Sequence, residues 1–277
     1  FLSRICCGLA VVFQQPLRIG SSEDLATRRT AAEKALALDA NSSDALVILA
    51  NIRWGEFDWS GAEQLYRQAV ALNLNSAKAH DGLGYLVGAT GRLDEGLREA
   101  QIAQELDPNE PHLDGILEWR GEYDRAIELD QKRAGIHPED AAVHYDLFHA
   151  YAAKGAYKEA IDELAKMSSL AGRPDISLNL HHAFEISGYR GAMKVVAEAF
   201  EEMQAAHQAF SPENLAIAYT VVGDKDRAFY WLQQAYEHHE MVSHDWGLMI
   251  VKVDPLLTPL RSDARYKDLL RRVGLPP

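Results

Sequence analysis

The chain has 277 residues, 47% of them hydrophobic, and a formal net charge of −13 from 28 basic and 41 acidic side chains. Duplex-binding surfaces and polybasic membrane anchors both need clustered Lys and Arg, so this balance excludes nucleic acid and anionic lipid as expected partners of the region. Cys6 and Cys7 are the only cysteines; adjacent and without a third to pair with, they build neither a disulfide framework nor a zinc finger, in keeping with a cytoplasmic setting, the periplasm being the alternative if a membrane segment precedes the repeats.

In chain order, residues 1–21 read as an irregular or partly helical segment, whose apolar run over residues 5–13 is too short for the ~20 residues that a bilayer-spanning helix needs. Residues 22–172 read as a regular repeat array. An incomplete hairpin ends at Ala35, Leu38 and Asp39. A unit from Ser43 places Leu49 and Ala50 on a first helix and Ala62, Tyr66 and Ala69 on a second. The unit from Ala77 repeats the arrangement with Leu83-Gly84, Gly96, Ala100 and Ala103, and the unit from Ala141 with Leu147-Phe148, Ala160 and Leu164. Between them the unit at residues 111–137 is four residues short, so its first helix is expected to lose a turn. Residues 173–277 read as divergent hairpins, with a hinge candidate at residues 171–174, followed by a final helix that carries Tyr266, Leu269, Leu270 and Val273 on one face and stops at Gly274. Ser262 is its expected cap.

A glycine opens a short turn in every unit, at 55, 91, 121, 155, 188 and 223, with intervals of 36, 30, 34, 33 and 35 residues. A period near 34 marks an array of helical hairpins. Small residues let facing helices approach, and the large side chain one turn away fills the remaining space. The aspartates after the turns, at 58, 94, 124 and 226, are expected to cap the second helices.

This period, with two helices per unit and small residues at fixed places, resembles the tetratricopeptide (TPR) family. The resemblance implies an all-α, right-handed superhelix of about six hairpins with a C-terminal capping helix. It also implies a non-catalytic, cofactor-free scaffold that binds a protein or peptide along the inner face formed by the first helices. The inner positions here include Asn51, Trp54, Asp81, Tyr85, Tyr145 and His149, an aromatic, amide and imidazole lining suited to an extended peptide or a helix. The alternative for Trp54 and Tyr85 is plain packing between hairpins. The family's clamp for a terminal carboxylate is not matched: Asn51 fits one position, but Val47 and Gly82 stand where a lysine and an asparagine are needed. The last 65 or so residues resemble TPR regions appended to bacterial winged-helix regulators, receptor-like serine/threonine kinases and adenylate-cyclase-type signalling proteins, which implies a regulatory module on a longer signalling chain.

Phosphate-loop, dinucleotide, nucleophile-elbow and kinase motifs are absent from the sequence. Of the 11 histidines, the dense clusters are His181-His182 and His238-His239-Glu240 with His244. The second provides one rival reading, a metal-assisted hydrolase, although its spacing matches no metalloprotease motif. A self-associating assembly protein is the other.

Overall fold

A computed structural model describes residues 22–108, 113–206, 211–237 and 247–275. The described residues are helical throughout, with no strand among them. The front of the chain is a stack of antiparallel hairpins: α1 (Ser22–Leu38), then α2 (Ser43–Gly55) on α3 (Trp59–Leu72), α4 (Ala77–Ala89) on α5 (Leu93–Leu106), α6 (Leu113–Trp119) on α7 (Tyr123–Ile136), and α8 (Ala141–Lys154) on α9 (Tyr157–Leu170). The first helices α2, α4, α6 and α8 also pack successively on one another and form the inner layer. This is the all-α solenoid expected of a TPR-like sequence, and the seven-residue α6 is its expected short helix.

Close approach explains the α4–α5 hairpin. A Cβ added to Gly84 would lie 2.9 Å from both the Gly96 carbonyl oxygen and the Ala100 nitrogen, and one added to Gly96 would lie 2.7 Å from the Gly84 carbonyl oxygen. The two backbones touch, so neither can yield to a side chain. In the α2–α3 hairpin, Ala62 and Ala69 flank the fully buried Tyr66, whose hydroxyl donates to Asn51. Two histidines fasten hairpins in the same way. His80 bonds Glu99 at 2.6 Å, and His144 bonds Glu163 at 2.6 Å and the Pro138 carbonyl at 2.9 Å. Both partners of His144 accept only, and chiefly its bond to Glu163 raises its pKa, which favours the imidazolium.

The turns share one hydrogen-bond pattern, which corrects the sequence reading of the first. At Gly91 the amide donates to Gly88 O and the next amide, of Arg92, to Val87 O; the same pair recurs at Gly121, Gly155 and Gly223. In each, the glycine takes a positive φ, from 79° to 96°. The equivalent residue in the first unit is Phe57, not Gly55: Phe57 N donates to Trp54 O and Asp58 N to Arg53 O, and Gly55 lies inside α2. Phe57 has a φ of 59°, the one non-glycine residue with positive φ among the described residues. A bulky side chain held there stores strain on the order of 1–3 kcal/mol.

The caps also differ from expectation. Asp58 does cap α3, accepting from Gly61 N at 2.9 Å. Asp94 and Asp124 lie inside the first turns of α5 and α7, whose N-cap residues Arg92 and Glu122 make no side-chain cap bond.

Beyond α9 the pattern loosens. α10 (Pro174–Ala205) is two helices merged across Gly188, whose φ of 64° and ψ of −162° reduce the turn to a kink. α11 (Pro212–Val222) and α12 (Lys225–Glu237) form a last hairpin, capped by Ser211 and by Asp224 in place of Asp226. Then follow α13 (Gly247–Ile250), a 3-10 turn (Pro255–Leu260) and α14 (Ala264–Arg272), capped by Asp263 and not by Ser262. α14 packs on α12 as a terminal cap should, burying Tyr266, Leu269 and Leu270. The 3-10 turn packs on both α8 and α11, so the end of the chain also lies against the array's inner helices.

Candidate partner-binding face

The inner face begins with a row of aromatic rings. Trp54 on α2 is fully buried, with Trp59 6.2 Å and Tyr85 5.8 Å away in edge-to-face contact. Tyr85 on α4 lies 4.6 Å from Trp119 at the end of α6. The row therefore crosses three hairpins, and Trp54 and Tyr85 lie between hairpins as packing residues. Asn51 is exposed beside this row and accepts from Tyr66; Asp81 is buried on α4.

The other two expected residues lie on α8 and face the back of the chain. The Tyr145 hydroxyl donates to Asn214 Oδ1 on α11 at 2.6 Å. His149 is buried between two carboxylates, with Nδ1 2.8 Å from Glu118 and Nε2 3.6 Å from Asp254. Burial by itself favours the neutral ring, but Asp254 and Glu118 outweigh it and carry the His149 pKa well above the usual imidazole value. Burial lifts Glu118 to about 7 against the pull of His149. The six expected residues thus do not form one exposed lining: the front ones join the aromatic row, and Tyr145 and His149 meet the back half.

What covers this face is the chain itself. Asp254 closes its own turn, accepting from Leu256 N at 2.7 Å, while Arg261 donates to its carbonyl at 3.0 Å. Met249 joins the core cluster that contains Trp54 and Tyr85, whereas Leu248, Val251, Leu256, Leu257 and Leu260 join the cluster of the back half. A Cβ on Gly91 would lie 3.6 Å from Lys252 Cε, and burial holds the Lys252 pKa below its usual value. At the far edge, Trp59 Nε1 donates to Val273 O at 2.6 Å across a separation of 214 residues, and Phe57 stacks on Tyr236 with ring planes 1° apart and centroids 6.1 Å apart. The first complete hairpin and the last residues of the fold therefore touch, and the array closes on itself.

A second charged cluster lies beside Glu118. One carboxylate oxygen each of Asp114, Asp130 and Asp146 lie within 4.8 Å of one another. The Arg133 guanidinium already supplies a cation there, at 3.0, 2.7 and 3.2 Å from the three. Burial, then Asp114 and Asp146, push the Asp130 pKa well above the usual carboxylate value against the pull of Arg133. The cluster ties α6, α7 and α8 together. His181 and His182 are exposed on α10, and the cluster of His238, His239, Glu240 and His244 lies outside the described residues, as do Cys6 and Cys7.

Sequence reasoning missed Phe57, Trp59, Glu118 and Asp254. Only Phe57 left a signal: it stands 34 residues before Gly91 and five before the small residue Ala62, the interval that Gly91, Gly121, Gly155 and Gly223 keep to Gly96, Ala126, Ala160 and Ala228.

No family model and no curated protein matches the chain. Among solved structures it is similar to the crystal structure of YrrB, described as a TPR protein with an unusual peptide-binding site, at 16% identity and a TM-score of 0.43, covering 77% of this chain and 96% of that one. No described helix is long and apolar enough to cross a membrane.

Proposed function

We propose that this chain is a non-catalytic protein-interaction scaffold whose inner face receives a polypeptide segment. One observation carries the reading: α8 and α11 already hold such a segment, the chain's own residues 249–260, with Met249 in the core cluster that contains Trp54 and Tyr85 and Asp254 beside the buried His149. Apolar anchors with a few fixed polar contacts are the means by which hairpin arrays hold peptides. Of the expected residues, Tyr85 and His149 act in this reading at the covered face, and Trp54 holds Tyr85 in place. The resemblance of the C-terminal region to the TPR parts of bacterial signalling chains supports a regulatory role on a longer protein in the cytoplasm.

The test uses a synthetic peptide of residues 247–260 added in excess to the full chain, with amide hydrogen exchange as the readout. Added protection on α8 and α11, absent with the reversed sequence, supports the reading. Protection elsewhere, or none at millimolar peptide, contradicts it.

A further inference from the structure

The closure has an uneven build. Residues 247–275 contribute most of their apolar side chains to the back core, and Met249, with half-buried Ile250 against it, is their share of the front core. Their polar contacts to the front are Trp59 to Val273 and His149 to Asp254, the 3-10 turn packs on α8, whose Phe148 and Ala152 share the back core, and Tyr236 of the neighbouring α12 stacks on Phe57. At the first hairpin the closure consists of one hydrogen bond and one ring stack, made by Trp59 and Phe57, which lie half-buried against the back core.

Phe57 is the telling residue. Four other turns place glycine where Phe57 stands, with the same hydrogen bonds and the same sign of φ. Glycine would satisfy the hairpin without strain, so the hairpin itself gives no reason for phenylalanine. What the side chain gains is a ring stacked on Tyr236 from the other end of the fold. Strain retained at one site for a contact far away in sequence points to a role outside the local fold. Trp59, two residues on, adds a hydrogen bond to the same edge.

We propose that Phe57, through Tyr236 of α12, and Trp59, through Val273, form an autoinhibitory clasp that holds α12 and residues 247–275 against the array, so that an apolar peptide segment enters the inner face only in exchange for the chain's own Met249–Asp254 stretch. This rests on the inner face being the binding face. The clasp is one half of an intramolecular competition: while closed, it removes molecules from the binding-competent population and weakens apparent affinity by the same factor. The segment that competes best carries an apolar residue in the place of Met249 and, five residues on, a carboxylate facing His149 as Asp254 does.

Phe57→Gly is the decisive variant because it removes the ring while relieving the backbone, so the hairpin does not depend on the lost side chain. In the full-length chain it keeps the far-ultraviolet helical signal, increases the radius of gyration in small-angle scattering, and binds a fluorescent peptide of residues 247–260 about tenfold more tightly than wild type, the gain expected when a competent fraction near a tenth becomes nearly all. Phe57→Tyr preserves the stack and stays as wild type, and Trp59→Phe, which loses the indole N–H and part of the ring packed at Gly274, moves both readouts in the same direction by less. If Phe57→Gly leaves both the radius and the affinity unchanged, the clasp is overturned while the binding face stands. If the radius grows but no peptide binds to any form, the closure is structural, and both the autoinhibitory role and the proposed binding face fall.

Discussion

The front and back halves use the same hairpin in different ways. In the front, each turn is a tight two-bond cap and the first helices pack in register, so inner positions recur at every unit. In the back, Gly188 reduces one turn to a kink, and the first part of α10 buries Ile176 and Leu180 but leaves Leu178 72% and Ile186 69% exposed. The difference lies in the turn: Gly155, with φ 84° and ψ 11°, ends α8 and lets α9 fold back, whereas Gly188, with φ 64° and ψ −162°, only kinks α10, although a Cβ would meet open space at both. A regular array needs each interface to be filled; where one loosens, non-repeat segments such as the turn at Asp254 fill the space beside α8 and α11.

The comparison can be broken at four places. The largest effect is expected at the junction of the halves: His149→Ala leaves Glu118 and Asp254 buried without their cation, costing about 4 kcal/mol in urea unfolding. In the front, Gly84→Val drives a side chain into the Gly96 and Ala100 backbone, which costs roughly 3 kcal/mol by the same measurement. In the back, Gly188→Ala meets no atom within 4 Å and pays only for its backbone conformation, about 1–3 kcal/mol. Gly155→Ala, at a front turn, is the matched control: if it costs more than Gly188→Ala, the glycine-only conformation assigned to Gly188 is wrong.

The smallest effect is one of pH. Glu118 and His149 both have raised pKa values, so the folded state holds protons that the unfolded state has released. For His149 the stabilisation is complete below the unfolded value near 6.5 and is lost as pH rises through the higher folded value. For Glu118 stability falls with rising pH between its unfolded value of 4.5 and its folded value of about 7. Carboxylates with lowered values, such as Asp58 and Glu63, act in the opposite sense, so the comparison is between Glu118→Gln and wild type. The glutamine variant is expected to show a shallower loss of Tm from pH 4.5 to 7, checked by thermal melts at fixed ionic strength.

The repeat architecture was legible because its causes are local. Glycine at a left-handed position and small residues at helix contacts each leave a mark in a few neighbouring residues, and the shortened α6 follows from counting. The first turn was misread for the same reason: Gly55 carries the usual mark, yet the left-handed residue is Phe57, held by a ring contact that local rules do not contain. The closure has no periodic signature at all. Trp59 and Val273 are linked by one hydrogen bond across most of the chain, and Asp254 reads as an ordinary turn residue until α8 brings His149 to it. Inner positions could be assigned by register, but whether a position faces solvent, a neighbouring hairpin or the chain's own end is decided by long-range packing.

The closure of the first hairpin onto the last residues is most directly tested in the unmodified chain by nuclear magnetic resonance of the Trp59 indole. A hydrogen-bonded Nε1–H that exchanges about tenfold more slowly than a free indole, as a closed majority with a competent tenth requires, and that shows nuclear Overhauser contacts to Val273 and Gly274 is the predicted result. A Trp59 indole proton in rapid exchange with water and without contacts to those residues would contradict the account.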